Sequence, residues 1–516
     1  MVLPKRSKVT EGSQYLQPKV LTEEFQKELA DSVHGSKPYE HGVIHGLLND
    51  EVLKTARNEI FENIHFTEKE TDIYKLNQTG DLLNLDGLPE NEINLLQSVL
   101  KVRDALYSQA FRDVMSRVTG SGPLSGTRFD LSLNNYNKGC HLLAHDDVIG
   151  TRVVSFILYL VPPDYEWDPK WGGALELYPT LREGVPEIDP TVKLPPAWNQ
   201  LSFFKILPGR SFHDVEEVYV DQPRLSIQGW FHYPQKGDPD YSEEDHKNDD
   251  TSKSTLAQLS QAHDANDGYE PKRVFTPIVP DTNKEYLAQY ISGDILDNVN
   301  KLQEEFGESS LLQLDDFLNT EFLGRVKSEI EAIELEKLPQ NTKEVKKPWL
   351  VSSPPHLRRY LYLGDSESKS ALAELKELFK SAAFMHLLKQ LTGVVPVSEY
   401  VELRRFRPGH DFTLASVSGV DTDIIETVFS VTPAKWEDEV GGYDLVMGGG
   451  TDEHDDPAVY RQAADDEDGV LLSEMPHLNR LTVILRDPDL LRFVKFVSKN
   501  AAGSRWDVLG QYKIEE

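Results

Sequence analysis

Residues 141–150 of the chain read "HLLAHDDVIG" and contain a His-x-Asp pair, His145 and Asp147. Such a pair is weak evidence alone, because fifteen histidines among 86 acidic residues yield on the order of one by accident. "EHDDP" at 453–457 is a decoy of this kind: His454 sits in the glycine-rich, acidic "GGGTDEHDDPAVYRQAADDEDG", where no strand pattern surrounds it, and is expected to face solvent. The first pair differs because two more residues of matching chemistry lie downstream on strand-like segments. "LPGRSFHDVEEV" places His213 in a strand-like context, and "PRLSIQGWF" places Arg224 on the next predicted strand. Two imidazoles and one carboxylate on adjacent strands occupy one face of an octahedral iron and leave three positions open. An arginine one strand away offers a planar fork for a terminal carboxylate. His141, on the other side of the turn, is expected to be structural, and Cys140 to be a small strand residue open to oxidation if it lies near iron.

These side chains need strands to carry them. Helical periodicity is clear at 48–64 and 95–120, the second stretch closing on a glycine suited to a C-cap. From Thr127 the pattern changes to short runs separated by turn residues, among them "TRFDLSLNNY", "TRVVSFILYLV", "QLSFFKIL" and "RLSIQGWFHY". Many short strands without long helices between them indicate a mainly β fold with flanking helices, a sandwich, jelly roll or barrel. The second half repeats the first. "LNDEVLKTARNEIFEN", "FRDVMSRVTG", "DLSLNNYNKG", Gly172-Gly173 and "PRLSIQGWF" have echoes 270, 273, 270, 269 and 281 residues later, in the same order. This argues for a duplicated domain rather than a solenoid. At those displacements His145, Asp147 and His213 correspond to Ala415, Val417 and about Phe493, so the second copy is expected to hold no metal, while Arg505 remains opposite Arg224. The expected division is a flexible tail over 1–20, a catalytic domain over 21–237, an acidic polar linker over 238–275 and a metal-free domain over 276–516.

Composition narrows the function. The net charge of −32 repels nucleic-acid phosphates and suits a basic protein partner, so direct nucleic-acid binding is not expected. No apolar run reaches the roughly 18 to 20 residues of a membrane span, and the N-terminus has no apolar signal region. Lys5, Arg6 and Lys8 read as a solvated basic tail rather than an import signal. With Cys140 as the only cysteine there is no intrachain disulfide and no multi-thiolate zinc site.

The order His-x-Asp, His, Arg-x-Ser (Arg224, Ser226) resembles the Fe(II)- and 2-oxoglutarate-dependent dioxygenases. Within them, "FTEKETDIYKLNQTGDL" (66–82), "HLLAHDD", "GTRVVSFILYLV" and the degenerate second copy resemble the ribosomal prolyl hydroxylases of the fungal termination-and-polyadenylation type, from about Leu21 to Tyr512. The resemblance implies two tandem double-stranded β-helix (jelly-roll) domains, with Fe(II) held by His145, Asp147 and His213. It implies 2-oxoglutarate and O2 as cosubstrates and ascorbate as supporting reductant, with Arg224 taking the far carboxylate of 2-oxoglutarate, Tyr136 and Tyr159 supporting it and Ser226 assisting. Residues 66–82 would form a mobile covering loop. The implied substrate is a proline of the basic small-subunit ribosomal protein at the decoding centre, with an effect on translation accuracy or termination and a location in nucleus and cytoplasm. The alternative is an oxygen- or 2-oxoglutarate-responsive regulatory protein that binds translation-termination or transcription-factor partners.

Overall fold

The computed structural model describes residues 12–80, 82–243, 270–365, 369–448 and 469–515. The chain divides into two compact units, Met1–Gln258 and Leu259–Glu516. The decoy His454 lies outside the described residues, as do residues 1–11 of the expected tail and 244–269 of the expected linker.

Among the described residues the first unit contributes thirteen strands: β1 (His41–His45), β2 (Thr67–Glu70), β3 (Tyr74–Gln78), β4 (Asp130–Tyr136), β5 (His141–His145), β6 (Arg152–Tyr159), β7 (Leu175–Leu177), β8 (Thr180–Arg182), β9 (Val185–Pro186), β10 (Val192–Leu194), β11 (Gln200–Lys205), β12 (His213–Val215) and β13 (Arg224–His232). Eleven of them form one antiparallel sheet in the order β1-β11-β6-β13-β4-β3-β5-β12-β7-β10, with β2 paired to β3. The architecture is mainly β with helices on one face, as the strand pattern predicts.

Period-2 alternation decides which residues face the helices and which face the interior. On β13, Leu225, Ile227 and Phe231 join the core built with helices Asp50–Asn63, Gln97–Leu106 and Gln109–Thr119. Arg224, Ser226, Gln228 and Trp230 therefore face the other way. On β6, Phe156 and Leu158 point to the helices, while Ile157 and Tyr159 line the interior with Leu175, Leu177 and Phe204. Residues 13–21, expected largely within the tail, form two short 3-10 turns instead, and Leu16 and Val20 are buried in this core. Two apolar residues four apart are enough to anchor a segment that composition alone reads as polar.

The second unit has a larger sheet, ordered Leu311–Asp315, Leu478–Arg486, Ile424–Val431, Arg505–Ile514, Pro396–Phe406, Leu361–Leu363, Trp349–Val351, and a five-stranded sheet that includes Phe412–Ser416, Leu491–Val494 and Asp444–Met447. Its details repeat those of the first unit. Helices Asp50–Asn63 and Thr320–Glu334 are N-capped by Asn49 and Asn319. Helices Gln109–Thr119 and Ala382–Thr392 start from Ser108 and Ser381 and end on left-handed Gly120 and Gly393. Asn199 and Asn479, both at positive φ, clamp the backbone of Leu48 and Leu318 with paired side-chain hydrogen bonds. Among the described residues no helix is long and apolar enough to cross a membrane.

Candidate iron and cosubstrate site

His145 and His213 are directly opposite one another on β5 and β12, so the strand pairing itself brings the two rings together, with centroids 4.2 Å apart. Each Nδ1 faces the carbonyl two residues earlier in its own strand, Leu143 for His145 and Ser211 for His213, both at 2.9 Å. A proton on Nδ1 satisfies that contact and leaves the Nε2 lone pair free for a metal.

Asp147 supplies the third donor because the chain turns back after β5. Its φ of 60° is left-handed, a conformation that a short polar side chain tolerates. Its two carboxylate oxygens lie 3.3 Å from Nε2 of His145 and 3.5 Å from Nε2 of His213. One ligand atom from each of the three residues lies within 4.8 Å of the others, and this is the only such group of three among the described residues. Burial opposes ionisation of Asp147, but the facing imidazoles outweigh it and hold the carboxyl well below the usual carboxylate range. Burial works against a charged His145 too, and the Asp147 carboxylate overcomes it and raises the imidazole. Two imidazoles and one carboxylate fit Fe(II).

Arg224, fully buried, stands at the start of β13 opposite Tyr136 of β4. Its Nε donates to the carbonyl of Gly173 at 2.6 Å, and its Nη2 donates to the Tyr159 hydroxyl at 3.4 Å. Gly173 is required here, since a Cβ at that position would lie 2.8 Å from the Arg224 side chain. The guanidinium lies over the rings of Tyr136 and Tyr159, at 4.8 and 5.0 Å from their centroids. Among the described residues no carboxylate pairs with it, and the buried Tyr136 hydroxyl has no hydrogen-bond partner. A buried cation without a counter-ion, next to an unsatisfied hydroxyl, fits the far carboxylate of a small dicarboxylate such as 2-oxoglutarate. Ser226 lies two residues along the same face, but its hydroxyl reaches only the Asn134 carbonyl, at 3.5 Å.

Trp230 is a residue that sequence reading missed. Its Nε1 donates to the Asp147 carboxylate at 2.9 Å, and its ring packs under the Arg152 guanidinium at 3.6 Å. The available signal was its even offset from Arg224 on one strand, which puts both on the inner face. We expect Trp230→Phe to weaken Fe(II) binding by roughly 10- to 100-fold, the usual effect of losing a partner that orients a ligand. Calorimetric metal titration would measure this, with the melting temperature of the metal-free protein as a control for folding.

Two expectations need correction. Residues 66–82 are not simply a covering loop: β2 and β3 form a hairpin, and β3 pairs with both β4 and β5, placing it beside the strand of His145. The second-copy correspondence was displaced by one residue. Leu142 pairs with Val215 and His145 with His213, whereas Thr413 pairs with Val494 and Ser416 with Arg492. Ser416 and Arg492, not Ala415 and Phe493, therefore stand where the two histidines stand, and the same offset puts Ser418 in place of Asp147. His141 is outside the cluster, its Nδ1 against the Gly139 carbonyl at 2.9 Å.

Arg505 keeps the place of Arg224: it pairs with Phe406 and donates to the Gly442 carbonyl at 2.6 Å. Its charge is already matched, by Asp507 at 2.9 Å and Asp444 at 3.3 Å. Arg492 is held by Glu426 and Asp444, both at 2.5 Å. Ion pairs within the chain thus fill the space that donors and a free guanidinium line in the first unit.

The family model described as 2OG-Fe(II) oxygenase superfamily matches residues 131–232, and the one described as oxoglutarate and iron-dependent oxygenase degradation C-term matches residues 282–516. The prolyl 3,4-dihydroxylase OGFOD1 of Ostreococcus tauri is 33% identical over 95% of this chain and 98% of its own length. The prolyl 3-hydroxylase OGFOD1 of Xenopus laevis is 29% identical over 90% of this chain and 84% of its own. The prolyl 3-hydroxylase sudestada1 of Drosophila melanogaster is 25% identical over 90% and 81% respectively.

Proposed function

The chain belongs to the OGFOD1 family of 2-oxoglutarate-dependent prolyl hydroxylases, and on that premise we propose that it hydroxylates, once or twice, a proline of the basic small-subunit ribosomal protein at the decoding centre. The observation that carries the enzymatic reading is the convergence of His145, Asp147 and His213 within 4.8 Å beside a buried Arg224 that no carboxylate of the described chain neutralises.

In this reading the first unit does the chemistry. His145, Asp147 and His213 would hold Fe(II), and Arg224 with the Tyr136 hydroxyl would bind and orient the far carboxylate of 2-oxoglutarate. Tyr159 would steady the guanidinium by accepting from its Nη2, and Ser226, on the same face of the strand as Arg224, would assist. When bound, the iron with 2-oxoglutarate and O2 supplies the oxidising power that converts a substrate C–H to C–OH, with succinate and CO2 released. Leu175, Leu177 and Phe204, whose ring centroid is 4.4 Å from that of His213, form an apolar wall that excludes water from the reacting centre. Ascorbate would keep the iron reduced.

A basic substrate is supported by the net charge of −32 and by exposed Glu68 on the β2–β3 hairpin beside β5. The matched ion pairs of the second unit favour a docking role for it, through which translation-termination or transcription-regulatory partners would be engaged, in both nucleus and cytoplasm. The test is anaerobic loading of the full chain with Fe(II) and 2-oxoglutarate, then exposure to oxygen with a peptide that spans the candidate proline. A mass gain of one or two oxygen atoms on that proline is expected. Succinate release without that gain would keep the dioxygenase and reject the ribosomal substrate.

A further inference from the structure

A cavity of about 650 Å³ opens in the second unit, within the roughly 300–1,000 Å³ typical of ligand pockets. Its apolar floor is made by Ile333, Trp349, Leu361 and Leu363. The floor is firmly placed: Trp349 pairs in register with Leu363, and its ring stands edge-on to buried Trp506 with centroids 5.4 Å apart. Lys337, Lys343, Lys346 and Lys347 line the rim, all from the stretch "KLPQNTKEVKK" (337–347) that precedes Pro348.

The charges around this cavity are unevenly matched. Glu344 takes the Lys337 ammonium at 3.2 Å and the Gln340 backbone N–H at 3.0 Å. Glu329 accepts from the Leu372 backbone N–H at 3.2 Å, and Arg405 is paired with Glu334 at 3.0 Å. Lys343, Lys346 and Lys347 have no ion-pair partner among the described residues, and neither has Glu336, the remaining carboxylate of the lining, so the unmatched charge around the cavity is positive by three lysines to one glutamate. A chain with a net charge of −32 does not need three unmatched lysines within five positions for solubility.

We propose that this cavity docks an acidic peptide segment of a partner protein, with one bulky apolar side chain on the Ile333–Trp349–Leu361–Leu363 floor and carboxylates on Lys343, Lys346 and Lys347. A peptide is favoured over a nucleic acid for two reasons. The floor is mostly aliphatic rather than a stacking platform, and the overall negative field opposes an extended polyanion while tolerating a short segment that carries its own apolar anchor.

The test uses the full chain and fluorescence anisotropy at about physiological ionic strength. The probe is a labelled twelve-residue peptide of aspartates and glutamates around a central Leu-Phe pair. The comparisons are the same peptide with Ala-Ala at the centre and a single-stranded RNA of equal charge. Saturable binding of the Leu-Phe peptide is expected, weakened about tenfold or more by Ala-Ala and by the combined Lys343→Glu, Lys346→Glu and Lys347→Glu changes. Arginine at the same three positions should keep binding within about threefold, and 2-oxoglutarate turnover should be unchanged in both variants. Absence of saturable binding, insensitivity to charge reversal in a folded variant, equal or tighter RNA binding, or a dimer that competes for the cavity would each overturn the proposal.

Discussion

Asp147→Asn should abolish detectable prolyl hydroxylation and weaken Fe(II) binding by about a thousandfold or more, beyond the roughly 10- to 100-fold that loss of an outer partner costs. Asparagine is the informative replacement because residue 147 has a φ of 60°, which asparagine adopts more readily than alanine does. It also leaves a side-chain oxygen for the Trp230 N–H, so the turn should survive. What is lost is the negative charge between two imidazoles, the feature that raises His145 and makes the three donors a site for a dication rather than two neutral rings. Metal titration and succinate release measured on one preparation would check this, with circular dichroism as the folding control. A variant that still coupled 2-oxoglutarate turnover to peptide hydroxylation would remove Asp147 from the iron site.

Much of this site was legible because strands convert sequence spacing into direction. Once "PRLSIQGWF" is read as a strand, Arg224 and Ser226 must share a face, and Leu225 and Ile227 must pack against helices on the other. The same rule placed Trp230 beside Asp147, yet a tryptophan among apolar neighbours reads as core, and nothing local says that its N–H has a carboxylate to meet. The unsatisfied Tyr136 hydroxyl was also out of reach, since it depends on what β6 and β13 bring around it rather than on the residues next to it. The one-residue slip in the second copy has a simple cause. Both copies share a glycine before the strand, Gly139 and Gly409, each donating its N–H to the later strand segment at Val218 and Val497. Between that glycine and the paired strand the second copy holds one more residue, Leu142 being matched by Thr413, so a displacement of 270 taken from that glycine misses by one at the places of His145 and Asp147. The short turns at 13–21 were missed for the opposite reason: their few apolar residues find a core built elsewhere in the chain.

Arg224→Gln and Arg505→Gln should have opposite consequences, although the two arginines hold equivalent places and each donates to a glycine carbonyl, Arg224 through Nε and Arg505 through Nη1. Arg224 is a buried charge whose partner is expected to arrive with the cosubstrate. Removing it relieves a desolvation cost while giving up a charged hydrogen bond of about 1.5–3 kcal/mol, so the melting temperature of the ligand-free protein should move little. Truncating one partner of a buried charge pair costs about 2–5 kcal/mol in binding, so the KM for 2-oxoglutarate should rise between roughly thirtyfold and a few thousandfold. The stabilisation that 2-oxoglutarate confers on the wild-type chain should vanish with it. Arg505 is matched within the chain. Its loss leaves Asp507 to Arg404 alone and Asp444 to Arg492 alone, a break in a buried network that should cost about 3 kcal/mol. For a unit of this size that lowers its melting temperature by roughly 6–12 °C, while the KM for 2-oxoglutarate stays within about twofold, the spread expected when two sites do not share a ligand. Calorimetry with and without 2-oxoglutarate separates the two cases in one experiment. If the Arg505 variant lost cosubstrate binding while the Arg224 variant kept it, the division of labour between a guanidinium kept free for a ligand and one locked into the fold would be reversed.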